Sequence, residues 1–331
     1  MYTGNMKRKI LFIAPHFMGY ELAIKEALKT KGFEVDFYDD RPSNSFWSKA
    51  IIRVRKELYI TRINDYYEKI WKEIAEHKYS IFFVLNVEAM PMWFLERMKE
   101  KKGNAKFIYY AWDSLANRKN SVNYLKFFDK IFSFDKNDCD ENPNIIFRPL
   151  FFIEEYSKLK LGSDFKYDFC FIGTAHSDRF TLLNSMREQI SQFGLTSFWY
   201  LYLQSRKLFL WCKLTNPNFK NAKMNDFVYT PMTQEDILKH IEDSRIIIDI
   251  QHPKQTGLTM RTIEALGARR KLITTNSNIK KYDFFRPENI YVINRRNPII
   301  DINFMKTDYI ELDPKIYQKY SISGWINDIM N

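Results

Sequence analysis

The chain has 331 residues, enough to bury two cores, and its 45% hydrophobic and 17% aromatic content excludes a disordered polypeptide. Its net charge of +11, from 51 basic and 40 acidic residues, is either a solubilising excess or a surface for phosphates on nucleotide sugars, anionic lipids or nucleic acid. Three scattered cysteines without a CxxC exclude a disulfide framework and a zinc site and fit a reducing, cytoplasmic compartment, and no apolar run reaches the ~18 residues of a membrane span.

Lys9–Ala14 reads as a buried strand, too short for a signal peptide. A loop with His16 and Gly19 follows, then a helix to Lys31 stopped by Gly32, and a second strand over Phe33–Tyr38. This β–α–β opening lacks GxGxxG, so no dinucleotide is expected against its loop. A lone loop histidine such as His16 is ordinarily a surface or packing residue. Ser45–Lys78 reads as two helices with basic and aromatic residues interleaved, suited to a membrane surface, an acceptor or plain solvent. Strands follow at Tyr79–Leu85, Lys106–Ala111, Lys130–Phe134 and Ile145–Phe147, with a helix from Pro91 to about Lys101. Strand and helix alternate, which predicts a parallel sheet.

Asp113 follows the strand Lys106–Ala111 in Trp112-Asp113-Ser114. A carboxylate at the carboxyl end of a parallel strand, beside an indole, suits a general base; the same residue also suits a helix cap. Glu88, after the preceding strand, is the second candidate acid or base. Asp138-Cys139-Asp140 spells DxD, a metal–diphosphate pattern, but lies in a polar turn-like run, and no metal is assigned to it.

Residues 148–166 read as a crossover between domains. Lys166–Ile172 opens a second unit, with Gly173 to Ser177 as a loop and a helix over Asp178–Phe193. Small loop residues such as Gly173 let backbone approach a phosphate, and Arg179 at the helix start suits a pyrophosphate or a surface salt bridge. Ser197–Leu214 reads as a strand then an amphipathic helix, with core packing preferred over an interfacial role. Asp226–Thr230 reads as a strand, and Thr233 with Asp236 forms a capping pattern.

The organising stretch is Asp249 to Asn276: strand Arg245–Ile250, a polar loop with His252-Pro253 and Gly257, a helix Met260–Leu266 capped by Thr259 and stopped by Gly267, and strand Lys271–Thr275. Its helix start makes an anion site. Arg261 in the first turn suits phosphate, and Glu264 one helical step on suits a ribose diol, since a carboxylate accepts two hydrogen bonds at once. The alternative is an amphipathic helix with both side chains solvated. A strand over Asn289–Ile293 and a helix over Ser321–Met330 complete the chain.

Three patches carry a resemblance: "EALG" followed by "LITTN", "Y-x-W-D-S" ending in Ser114, and "FIG…R…L" around Gly173. Together they resemble bacterial GT-B glycosyltransferases of polysaccharide or lipopolysaccharide synthesis, the CgeB-like and family 1-like group. The resemblance implies an α/β GT-B fold: two Rossmann-like parallel-sheet domains, a cleft between them, and a C-terminal helix crossing back. Expected boundaries are 1–160 for the acceptor-side domain, 161–312 for the nucleotide-sugar domain and 313–331 for the returning helix. It implies a nucleotide-sugar donor as co-substrate, with Gly173, Arg179, His252, Thr259, Arg261 and Glu264 binding it and Glu264 holding the ribose. Asp113, Glu88 and His16 are then the catalytic candidates, with no metal and no other cofactor. The implied acceptor is a surface glycan, free or lipid-linked, reached from the cytoplasm with peripheral contact to an anionic membrane. Many retaining members carry two glutamates eight positions apart, but the earlier position here is Thr256, which leaves the anomeric outcome open. A GT-B nucleotide-sugar epimerase and a non-enzymatic polyanion binder are the alternatives. No nucleic-acid motif supports the latter, and no nucleic acid is expected as partner.

Overall fold

The computed structural model describes residues 8–44, 56–115, 119–162 and 164–331. The chain divides into two compact units, one of Met1–Pro149 with Ile322–Asn331 and one of Leu150–Ser321.

The first unit is a parallel sheet of β1 (Lys9–Ala14), β2 (Glu34–Asp39), β3 (Ile81–Leu85), β4 (Lys106–Ala111), β5 (Lys130–Ser133) and β6 (Ile145–Phe147). Its order is β2-β1-β3-β4-β5-β6. Strands β3 and β4 are buried almost throughout, which is why they read as continuous apolar runs rather than alternating ones. Helices α1 (Tyr20–Thr30), α2 (Ile60–Ile74), α3 (Met92–Lys102) and α4 (Lys136–Glu141) connect them. The polar DxD run is α4 rather than a turn, because Asp135 caps it by accepting from the Asn137 amide at 3.1 Å. The predicted helical segment from Ser45 lies partly outside the described residues.

The second unit is a parallel sheet of β7 (Tyr167–Thr174), β8 (Ser197–Tyr202), β9 (Ser244–Asp249), β10 (Lys271–Thr274) and β11 (Ile290–Val292), in the order β11-β10-β9-β7-β8. Its helices are α5 (Glu154–Ser157), α6 (Arg179–Gln192), α7 (Arg206–Thr215), α8 (Gln234–Glu242), α9 (Met260–Gly267), α10 (Ile302–Lys306) and α11 (Pro314–Lys319). The predicted strand over Asp226–Thr230 does not form. Phe227 turns into the core after a short 3-10 turn, and only Val228 bridges to Tyr202.

Helix α12 (Ile322–Met330) belongs to the first unit and packs against α1. Its Trp325 is fully buried, with ring centroids 4.8 Å from Tyr110 and 6.0 Å from Phe83. Arg148 Nε pairs with Asp328 Oδ2 at 2.8 Å.

Each sheet reverses its strand order beside its first strand, between β1 and β3 in one unit and between β7 and β9 in the other. Ligands of open α/β sheets bind outside the carboxyl ends of strands at such a switch point. Three of the four non-glycine residues with positive φ among the described residues lie in loops at these ends: Met18, Asn86 and Ser177. Such backbone costs about 1–3 kcal/mol each and gathers at functional sites.

Candidate functional site

In the second unit, the loops after β7 and β9 meet at the switch point. Asp249 ends β9 with a buried carboxylate, 2% exposed. Its Oδ2 accepts from Thr259 Oγ1 and Thr262 Oγ1, both at 2.8 Å. Thr259 in turn caps α9, its Oγ1 accepting from the Thr262 amide at 3.1 Å. The cap that sequence alone suggests is therefore held by an acid that sequence alone did not single out. The 250–259 loop is fixed from the other side: Asn276 Nδ2 donates to the carbonyls of Thr256 and Gly257, and Asn278 Nδ2 to that of Thr256.

Arg179 lies in the first turn of α6, half-buried. Its Nε donates to the Ile250 carbonyl at 2.6 Å and its Nη1 to the Thr174 carbonyl at 2.9 Å, so it ties the ends of β7 and β9 together. Its Nη2 is spent on no protein acceptor among the described residues. Burial lowers its pKa to about 10, against the pull of Asp249 and with repulsion from Arg295 and Arg261. Arg295 grips Asp178 through both oxygens, at 2.8 and 2.6 Å, and reaches the Gln251 carbonyl at 3.0 Å. The Arg295 guanidinium holds the Asp178 carboxyl below its ordinary pKa.

Two imidazoles sit in this cationic corner, His176 and His252, with ring centroids 5.3 Å apart. Burial first, then Arg179 and His252, push the pKa of His176 down to about 4. Burial and Lys254 lower that of His252. The arrangement is a concentration of positive field at two helix starts, with neutral imidazoles beside it, a setting chemically suited to an anion.

Arg261 and Glu264 face each other on α9, Nη1 to Oε2 at 2.6 Å, with side chains 15% and 6% exposed. Tyr156 hydrogen-bonds Glu264 and accepts from Gln234 Nε2 at 3.1 Å, and burial with the Glu264 charge raises its pKa. The pair is thus buried and mutually bound, not solvated. Gly173 lies inside β7, opposite Leu201, and not in the following loop. A Cβ there would meet Phe171 Cζ at 2.9 Å and Arg179 Nη1 at 3.3 Å, so the glycine makes room for those two side chains. Gly267 is the last residue of α9, where the expected stop falls. Its missing side chain lets Phe152 approach, with Cγ 2.5 Å from where a Cβ would sit, and the chain leaves the helix at Arg269, φ +50°.

In the first unit, His16 follows β1. Its Nδ1 lies 2.7 Å from Glu21 Oε1 and its Nε2 3.4 Å from Asp39 Oδ2. Glu21 is 2% exposed and also accepts from the Phe17 amide. Glu88, after β3, faces Arg41 at 3.4 Å with its side chain 6% exposed. The fully buried Asp40 orders that loop: it accepts from the amides of Glu88, Ala89 and Met90 at 2.6, 2.8 and 3.1 Å and from Tyr67 Oη at 3.0 Å. Asp113 follows β4, half-buried, next to Trp112, whose ring lies 5.3 Å from that of Phe17. Asp138 accepts from the Leu115 amide and from Ser133 and Ser114, while Asp140 pairs with Lys136 at 2.6 Å. The two aspartates of DxD therefore serve different partners.

Sequence reasoning missed Asp178, Arg295 and Asp249. Asp178 and Arg295 are 117 residues apart and no local pattern links them; Asp249 was visible only as the end of an apolar strand. At the amino-terminal end of the second sheet lies a cavity of about 470 Å³ lined by Arg245, Arg269, Arg270 and Lys271 with Asp308 and Glu311. Its cations are spent internally. Lys271 donates to the carbonyls of Phe304 and Thr307, Arg270 to four carbonyls, and the other two arginines pair with the acids. No helix among the described residues is long and apolar enough to cross a membrane.

No family model matches the sequence, and no curated protein matches it. Solved structures do. OtsA in its apo form is 11% identical over 98% of this chain and 99% of its own, with a TM-score of 0.61. The E. coli trehalose-6-phosphate structure bound with UDP-2-fluoro glucose is 11% identical over 97% and 98%, at 0.60. Anabaena HepE in complex with UDP and glucose is 12% identical over 98% and 98%, at 0.56. The chain is similar to these in fold: it has the GT-B fold.

Proposed function

We propose, from the GT-B fold and the cationic corner, that the chain is a glycosyltransferase whose second unit holds a nucleotide-sugar donor. The observation that carries this is the convergence of Arg179, Arg295, His176 and His252 at the switch point between β7 and β9, with the Arg261–Glu264 pair on α9, the helix that follows the His252 loop. A diphosphate fits against Arg179 Nη2 and the starts of α6 and α9, and the ribose diol meets the Glu264 carboxylate, a group able to accept two hydrogen bonds at once. As the donor breaks, the leaving nucleoside diphosphate is stabilised by arginine and backbone dipoles already in place, with no metal in the scheme. Anabaena HepE holds UDP and glucose, and the E. coli structure holds UDP-2-fluoro glucose, so UDP-sugars come first in any screen.

Asp113 is the proposed general base, removing the proton from an acceptor hydroxyl as the sugar is transferred. A second reading is favoured by one specific contact. His16 is oriented by the buried Glu21 at 2.7 Å, the arrangement that holds an imidazole as a base, with Glu88 supporting the neighbouring loop. The proposed acceptor is a surface glycan of lipopolysaccharide, capsule or exopolysaccharide, carried on lipid or free, and the work is done in the cytoplasm.

The test is a thermal-shift screen with UDP-, GDP-, dTDP- and CMP-sugars, followed by Glu264→Gln, Asp113→Asn and His16→Gln. One donor is expected to raise the melting temperature. Glu264→Gln should erase that rise while folding normally. Asp113→Asn should bind donor and lose transfer. If transfer survives Asp113→Asn and fails in His16→Gln, the base is His16. Turnover of a nucleotide sugar without any acceptor would instead identify an epimerase, and no response to any nucleotide sugar would remove the proposal.

A further inference from the structure

Helix α7 carries a surface that the donor site does not use. Ser205 caps it, accepting from the Leu208 amide at 3.1 Å, and Phe209 anchors its inner face with 3% exposure, its ring 5.5 Å from that of Phe227. The opposite face is apolar and open: Leu210 is 53%, Trp211 61% and Leu214 87% exposed. These three lie within about 100° of helical arc. The expectation that this stretch packs into the core therefore holds for Leu201, Leu203, Leu208, Phe209 and Cys212 and fails for Leu210, Trp211 and Leu214.

The charge along this stretch is of one sign, with Asp226, which accepts from the Lys223 amide at 2.7 Å, as the first carboxylate after it. From Gln204 to Lys223 the chain has five cations, Arg206, Lys207, Lys213, Lys220 and Lys223, and no carboxylate. All five are exposed. Lys213 is held beside the patch, its Nζ donating to the Ala222 carbonyl at 2.7 Å. A tryptophan and two leucines on the outward face of a helix, rimmed by lysines whose stems run along apolar surface, match an interface where acyl chains meet anionic headgroups. A second copy of the chain meeting this face about a two-fold axis would set five cations against five, which disfavours self-association.

We propose that the outer face of α7 docks the protein on an anionic lipid bilayer. The helix lies in the plane of the interface, Leu210, Trp211 and Leu214 enter the acyl boundary, and the five cations meet headgroup phosphates. No residue of the proposed donor site takes part, so donor binding by the same samples is a separate readout.

The test is co-sedimentation of the full chain with phosphatidylcholine vesicles, with and without about 30% phosphatidylglycerol, at low and near-physiological salt. The wild type is expected to pellet with the anionic vesicles, less so as salt rises. Trp211→Ser with Leu214→Ser should weaken partitioning by about tenfold or more. Arg206→Gln with Lys207→Gln should weaken it by about 25-fold at low salt, about fivefold for each charge lost. Unchanged melting temperatures establish that the variants fold, as expected for exposed positions. Equal binding to neutral vesicles, no binding at all, or wild-type binding by both double variants would overturn the proposal. So would a dimer in sedimentation velocity that Trp211→Ser converts to monomer.

Discussion

Arg295 holds Asp178 with two parallel hydrogen bonds and, with one of the same nitrogens, the carbonyl of Gln251. One guanidinium thus joins the residue before α6, the loop after β9 and the segment after β11. Replacing it by alanine leaves Asp178 and Gln251 without that donor. We expect Arg295→Ala to cost about 1–2 kcal/mol, discounted for the partial exposure of both partners, and to weaken donor binding further. Arg295→Lys should not restore it, because an ammonium cannot make the fork. Denaturant unfolding and donor-induced thermal shifts measure the two effects.

Protons should weaken the fold through His176. Its pKa in the folded chain is lowered to about 4 from an ordinary 6.5, so the unfolded chain binds more protons between these values. The group contributes nothing above about pH 6.5 and a growing penalty to the fold as pH falls toward about 4. His176→Asn should flatten this part of the stability profile, read as melting temperature against pH. A bound diphosphate favours the charged imidazole, so donor binding in the same window should take up protons, measurable by calorimetry in buffers of different ionisation enthalpy.

Gly267 is a packing device. Since a Cβ there would sit 2.5 Å from Phe152 Cγ, Gly267→Ala should destabilise by about 1–3 kcal/mol although alanine favours helices by about 1 kcal/mol. Phe152→Leu in the same chain should recover part of the loss. Additivity of the two changes in urea unfolding would rule out this contact as the cause.

Asp40 supports the loop that carries Glu88. Burial raises its pKa, yet it accepts from three amides and a tyrosine hydroxyl. Asp40→Ala strands all of these donors, and we expect a loss of about 3 kcal/mol or more, visible as a lowered denaturation midpoint.

Strands buried on both faces were legible in the sequence because an uninterrupted apolar run leaves few other readings; β3, β4 and β9 show this. Caps were legible where the side chain and the amide it serves are two or three residues apart, as at Thr233 and Thr259. What escaped was non-local. Asp249 is a structural acid because two threonines from the next helix turn toward it, and Arg295 belongs to the site because β11 lies at the far edge of a sheet whose order the sequence does not print. Gly173 belongs to the strand rather than to the loop expected after it, and Gly267 ends its helix without a left-handed conformation. Each glycine suited a terminus by its local signal, while an aromatic ring, Phe171 of the same strand for Gly173 and the distant Phe152 for Gly267, had claimed the space of its missing side chain. The outer face of α7 was misjudged because amphipathic spacing tells which residues share a side, not which side is covered.

The return of Ile322–Met330 to the first unit has a consequence for how the protein is made. The hole that Trp325 fills, against Tyr110 and Phe83, is lined by residues translated before the whole of the second unit. At about 5–20 residues per second, synthesis of the intervening second unit occupies on the order of ten to thirty seconds. Throughout that interval the earlier-born half carries an open aromatic socket, and it is the half made first that is finished last.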